Sequence, residues 1–301
     1  MKYMFFRGCV IPIRQPFIEK IVGAVFPQIG IELIEEPRFT CCPEPVWFKS
    51  TNYLRWLAIA ARNLCLAEER ETDILTLCNG CVGTLREANT VLKQDEEMRK
   101  KVNKILGSTG HEFKGKIEVK HFLEVLKENE ESMKKMVKVP LKGLRVATFT
   151  GCHLLFPSKM MKFDEPETPK VLDDLTRILG AEPVDYPEKG TCCGGAMAGL
   201  ELDASLLTVK TKIESAIHAD GGVDCMTVPC PMCFQQFDSG QLLIARKNIG
   251  AGGEARTLPI LNYVQLLALA MGYSLGDVGY TWHKTKNKEF EEKINHLVVH
   301  S

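Results

Sequence analysis

The chain has 301 residues, with 38 Lys plus Arg against 38 Asp plus Glu, 45% hydrophobic and 25% charged residues. That length is enough for two domains, and that composition is globular. The neutral balance supplies no basic field for nucleic acid. No apolar run approaches the ~18–20 residues that span a bilayer. The start, interrupted by Arg7, does not read as a cleavable leader. Twelve cysteines without such a leader point to a reducing, cytoplasmic compartment, where clustered thiols serve metal or redox chemistry more than disulfides.

Taken in chain order, KYMFF reads as a strand ending at Gly8–Cys9, and IELI as a strand leading to Cys41–Cys42. NYLRWLAIAARNLCLAEE puts Leu54, Leu57, Ala61, Leu64 and Cys65 on one face of a helix. DILTL is a strand ending at Cys78 and Cys81, and KIEVKHFLEVL a strand followed by a helix. The charged run LKENEESMKKMVK reads as a solvated helix face. Pro140 and Gly143 then mark a join. Beyond it LRVAT leads to Gly151–Cys152, and PKVLDDLTRILG reads as the counterpart of the Leu54–Cys65 helix. EPVDYP leads to Cys192–Cys193, DCMTV to Cys230 and Cys233, and LPILNYVQLLALA is again a strand and helix. The expected units are 1–140, 141–280 and a tail, 281–301, with no counterpart in the first half.

Set Cys65 and Cys225 aside as buried packing residues, and each half reads C…CC…CxxC. The offset between halves is 143 residues for the first cysteine, 151 for the adjacent pair and 152 for CxxC. Chance does not give that register, so the chain is an internal duplication. Short apolar strands alternating with amphipathic helices make each half a small, largely parallel α/β sheet. The cysteines then sit just beyond strand ends, where open α/β sheets bind ligands. Adjacent cysteines are poor disulfide partners, their Cα atoms lying ~3.8 Å apart, below the usual range. Zinc and a cubane iron–sulfur cluster each take four ligands, one fewer than each half offers. A larger or more open iron–sulfur cluster fits five, while zinc on four with a bystander stays open. CCGGAMAG lacks the spacing of a phosphate loop.

The C…CC…CxxC repeat resembles the cysteine-rich CCG-domain family, although Pro43 stands where the name-giving glycine falls; the second copy keeps Gly194. ELIEEPRFTCCPEP, GCHLLFPS, DYPEKGTCCGG and CPMCFQQFDSGQ further resemble the B subunits of soluble, methanogen-type heterodisulfide reductases, over about 280 residues. The resemblance implies two Rossmann-like CCG domains related by a pseudo-two-fold axis. It implies reduction of the coenzyme M–coenzyme B mixed disulfide by two facing non-cubane 4Fe–4S clusters. One cluster falls to Cys9, Cys41, Cys42, Cys78 and Cys81, the other to Cys152, Cys192, Cys193, Cys230 and Cys233. It also implies a ferredoxin-like C subunit, a flavin-containing A subunit and an upstream hydrogenase or formate dehydrogenase module. From the residues, His153 is a candidate proton donor to a departing thiolate. Arg7, Arg14, Lys49 and Lys159 are candidate partners for the anionic ends of such a substrate. Two alternatives remain at this point: a related redox subunit acting on another disulfide, a quinone or an organic acid, and a non-catalytic metal-bound scaffold.

Overall fold

Eight short strands form two separate parallel sheets in the computed structural model, which describes residues 1–247 and 257–299. In the first, β1 (Lys2–Phe6), β2 (Glu32–Ile34), β3 (Ile74–Thr76) and β4 (Val119–His121) run in the order β2-β1-β3-β4. In the second, β5 (Arg145–Thr148), β6 (Glu182–Val184), β7 (Cys225–Val228) and β8 (Ile260–Asn262) run β6-β5-β7-β8. Every pairing is parallel. The central strands are buried on both faces, from Tyr3 to Phe6 and from Cys225 to Val228, as parallel strands between helices must be. In each sheet the chain leaves the first strand toward one neighbour and returns on its other side. That places a crevice at the C-terminal ends of β1 and β3, and again at those of β5 and β7. The duplicated parallel α/β architecture is the one the repeat predicts, and its Rossmann-like form is the one the resemblance implies.

The PKVLDDLTRILG segment forms the helix Val171–Ile178 between β5 and β6, so its counterpart is Pro16–Val25, between β1 and β2. The true counterpart of Tyr53–Glu68 is Leu202–Ile217, also 16 residues long, between the paired cysteines and β7. Its buried stripe contains Ser205 and Lys212, which dilute the apolar pattern that marks Tyr53–Glu68.

The halves meet reciprocally. Pro16–Val25 packs on Tyr263–Ala270, and Val171–Ile178 packs on Phe122–Glu128, which is the same contact seen from the other copy. Val10–Arg14 on Pro231–Lys247 repeats Cys152–Leu155 on Asn79–Gln94. Such isologous contacts define a pseudo-two-fold axis. Two equivalent helix starts meet at it, with the Phe122 and Tyr263 rings 6.4 Å apart. Each of these helices opens on a capping box, His121 with Glu124 and Asn262 with Gln265. The segment after residue 280 packs into the second core. Phe290 and Ile294 are buried, and Asp238 accepts hydrogen bonds from the Lys284 and Thr285 amides and the Thr285 hydroxyl. Residues 300 and 301 of the tail lie outside the described residues. Among those described, no helix is long and apolar enough to cross a membrane.

Candidate metal centre

Ten of the twelve cysteines form one unbroken string of sulfur contacts. Cys9 neighbours Cys41, and Cys42 neighbours Cys41 and Cys81. Cys81 neighbours Cys78, whose Sγ lies 4.0 Å from Cys230 Sγ across the pseudo-two-fold axis. The order then repeats in reverse: Cys230 to Cys233, Cys233 to Cys193 at 3.5 Å, Cys193 to Cys192, and Cys192 to Cys152. Cys65 and Cys225 stand outside the string, buried in a helix and in β7. Solvent reaches the outer ends, where Cys9, Cys41 and Cys192 are exposed; Cys81, Cys230 and Cys233 near the axis are buried.

Local backbone explains how the string closes. Gly8 and Gly151 precede the first cysteine of each half with positive φ, +67° and +84°. A Cβ at Gly8 would stand 3.0 Å from Cys81 Sγ. One at Gly151 would stand 2.5 Å from Asn79 Nδ2 and 3.6 Å from Cys233 Sγ. Only glycine lets the strand end approach CxxC so closely. Each half also fastens the other. Asn79, inside the first CxxC, donates to Thr150 O at 2.7 Å, and Gln15 donates to Pro231 O, inside the second, at 2.8 Å. The loop entering the first pair is fixed by Glu36, whose buried carboxylate takes the Arg38 fork at 2.8 Å. Arg38 holds that carboxyl down at about 2.

The same helix position pins both paired-cysteine loops. Asn63 accepts from Thr40 N at 3.0 Å and donates to Cys41 O at 3.2 Å. Its counterpart Lys212 donates to Glu188 O and, at 3.5 Å, to Lys189 O. Asn79, Gln15, Asn63 and Lys212 did not stand out in the sequence. The available sign was a polar residue within an otherwise apolar helix stripe, which Asn63 and Lys212 both display.

The donor set fits multinuclear metal. Cys42, Cys192 and Cys230 each accept from two neighbouring thiols, which holds all three well below the usual thiol range, Cys192 at about 2. Thiolates are the form that binds soft metals and iron–sulfur clusters. Among the described residues no three Cys, His, Asp or Glu side chains surround a single-ion position; the sulfurs neighbour one another in succession. Five thiols in each half exceed the closed tetrahedron of structural zinc and suit ligands spread over several metal atoms.

His153 lies beside the string, its Nδ1 3.6 Å from Cys152 Sγ. Of the four candidate cations, Arg7 pairs with Glu19 at 2.5 Å and Lys49 with Glu87 at 2.7 Å. Arg14 and Lys159 are exposed and make no ion pair among the described residues.

The family model for the cysteine-rich domain, CCG, matches residues 3–86 and 146–238. The chain is 40% identical over 297 residues to the B subunit of the ferredoxin/F(420)H(2)-dependent CoB-CoM heterodisulfide reductase of Methanosarcina acetivorans, covering 97% of each chain. It is 32% identical to the membrane anchor subunit of the 8-methylmenaquinol:fumarate reductase of Wolinella succinogenes, covering 92% of this chain and 95% of the relative. Among solved structures, a hypothetical protein from Helicobacter pylori superposes with a TM-score of 0.75 at 18% identity. The match covers 95% of this chain and about half, 52%, of that one, and it speaks to the fold alone.

Proposed function

The chain belongs to the cysteine-rich CCG-domain family that includes heterodisulfide reductase B subunits, and from that premise we propose that it is the disulfide-reducing subunit of such an enzyme. Its substrate is the mixed disulfide of coenzyme M and coenzyme B. The reaction takes up two electrons and two protons, breaks one S–S bond and releases two thiols. The observation that carries this reading is the string of ten thiols, five from each half, meeting at Cys78 and Cys230. A doubled set of sulfur ligands about one axis suits a substrate with two sulfurs.

Cys9, Cys41, Cys42, Cys78 and Cys81 would hold one non-cubane 4Fe–4S cluster, and Cys152, Cys192, Cys193, Cys230 and Cys233 the other. When bound, such clusters supply one electron each and an electrophilic iron for each sulfur. The chain's own groups do the rest. His153 holds a proton at the second set, and the equivalent residue of the first half is Val10. The other proton comes from solvent, which reaches Cys9 and Cys41. Arg14 and Lys159 are the uncommitted cations for sulfonate, phosphate or carboxylate ends, since carboxylates already occupy Arg7 and Lys49.

Electrons arrive from another chain, because no flavin or ferredoxin-type motif is present in the sequence. The expected donors are a ferredoxin-like C subunit, a flavin-containing A subunit and a hydrogenase or formate dehydrogenase module, in the cytoplasm. The ferredoxin in the name of the Methanosarcina relative supports that route. The Wolinella relative supports a second reading, in which the same thiol sets serve a quinol-linked reaction.

Anaerobic analysis should find roughly eight irons with matching sulfide, and reduced viologen should drive cleavage of the mixed disulfide. His153→Ala should keep the iron, slow turnover by ~10²–10⁴-fold and change the pH profile. Iron-loaded protein that reacts with a menaquinol analogue and leaves the mixed disulfide intact would select the second reading. Colourless, zinc-only protein would leave a scaffold.

A further inference from the structure

The two halves differ in charge at two equivalent buried positions, Asn63 against Lys212 and Arg86 against Asp238. Asn63 and Lys212 are each the eleventh residue of a 16-residue helix that follows the paired cysteines. Both fasten the loop entering the pair, one through a neutral amide and the other through an ammonium. Lys212 is wholly buried. Its Nζ lies 4.4 Å from the centre of the Phe149 ring and 5.7 Å from that of Tyr186.

A buried cation requires an anion. Among the described residues the buried Lys and Arg side chains are Arg86 and Lys212. Arg86 contacts Glu124 and is neutralised there. Its own counterpart, Asp238, is satisfied by two amides and a hydroxyl of the tail. Lys212 has no carboxylate at ion-pair distance among the described residues. Burial pulls its ammonium down to about 8, and the groups that act against that shift are the Cys193 sulfur, Glu188 and the Cys233 and Cys192 sulfurs. Three of those four belong to the second thiol set. A metal–thiolate group there, gaining negative charge on reduction, is the anion this ammonium lacks. Rings on two sides keep water away and leave the field unscreened.

We infer that Lys212 is the built-in counter-cation of the second thiol set, so that the group held by Cys152, Cys192, Cys193, Cys230 and Cys233 is reduced at a higher potential than its twin. The inference rests on the proposed function only for the identity of that group as a redox centre. Lys212 acts on the group as a positioning and charge-tuning residue. The first electron delivered then settles in the second half, whichever half it entered by.

The test is a redox titration of the iron-loaded full chain with dithionite, without substrate, followed by electron paramagnetic resonance. The signals are assigned to halves with Cys41→Ser, which disables the first set. In wild type the second-half group should take its electron at least tenfold more favourably, about 59 mV for a one-electron step. Lys212→Gln keeps a donor for Glu188 O and removes the charge. It should lower the second-half equilibrium by tenfold or more and leave the first-half midpoint in place, and Lys212→Arg should restore the gap. A second-half group at equal or lower potential in wild type overturns the inference without any variant. So does an iron-replete Lys212→Gln chain with both midpoints unmoved. Failure to cleave the mixed disulfide would count against the proposed function alone, because these midpoints are read without it.

Discussion

Replacing Gly151 by alanine tests how the two halves are locked together. The residue sits at φ 84° and ψ 154°, a region essentially reserved for glycine, and forcing another residue there costs ~1–3 kcal/mol. The added Cβ would also stand 2.5 Å from Asn79 Nδ2. Asn79 is buried and its Nδ2 makes the 2.7 Å bond to Thr150 O, so that bond must break, at about 0.5–1.5 kcal/mol. Cys233 Sγ, 3.6 Å from the same Cβ, is at ordinary contact and need not move. The sum is about 2–4 kcal/mol, read by denaturant unfolding of the loaded chain. Asn79→Ala removes the obstacle, so Gly151→Ala should cost about 1 kcal/mol less in that background, a coupling above the ~0.3–0.5 kcal/mol scatter of independent sites. Strict additivity, or a Gly151→Ala chain as stable as wild type, would show that the cross-half contact is not what this glycine accommodates.

Cys65→Ser and Cys225→Ser should keep the full iron content, while Cys42→Ser or Cys193→Ser should disturb the group in its own half; iron loss from Cys65→Ser would undo this sorting. Of the two packing variants, Cys225→Ser should be the costlier, at about 1–3 kcal/mol for an unpaired buried hydroxyl, because the hydroxyl at 65 can bond the helix carbonyl four residues back. Glu36 should give a pH signature. Its carboxyl is depressed from 4.5 to about 2 by Arg38, so its stabilisation is complete above pH 4.5 and lost as pH falls through 2. With Arg38 half exposed, solvent screening leaves about 1–2 kcal/mol. Glu36→Gln should therefore be less stable by that amount near neutrality, with more than half the gap gone by about pH 3; a gap unchanged down to that pH would refute the pairing. Phe290→Ala should cost about 3–5 kcal/mol in unfolding experiments, and a loss under about 1 kcal/mol would return the tail to the surface.

The features legible in the sequence were those with a period or a register. Apolar runs ending at cysteines, repeated at offsets of 143 to 152 residues, located six of the eight strands and the sheet edge where the thiols gather. Cys65 and Cys225 separated from the other ten because one falls on a helix face and one within a strand. The helix Leu202–Ile217 escaped because Ser205 and Lys212 break its stripe, and those are the residues that hold the Cys192 loop. Asn79 and Gln15 act across the axis on backbone more than 70 and 200 residues away; no local pattern encodes a bond of that separation. Phe290 and Ile294 have helical spacing, but with no copy in the first half there was nothing to align them with.

The reciprocal packing about the axis carries an evolutionary consequence. A single repeat, leaving its Pro16–Val25 and Phe122–Glu128 faces uncovered, would cover them by pairing with itself. In such a homodimer every substitution is made twice, and a buried lysine introduced at one set would appear at both. Joining two copies in one chain removes that restriction. Asparagine at 63 and lysine at 212, like valine at 10 and histidine at 153, are pairs that a symmetric assembly cannot hold. Fusion thus turned two interchangeable sites into two that can be given different tasks.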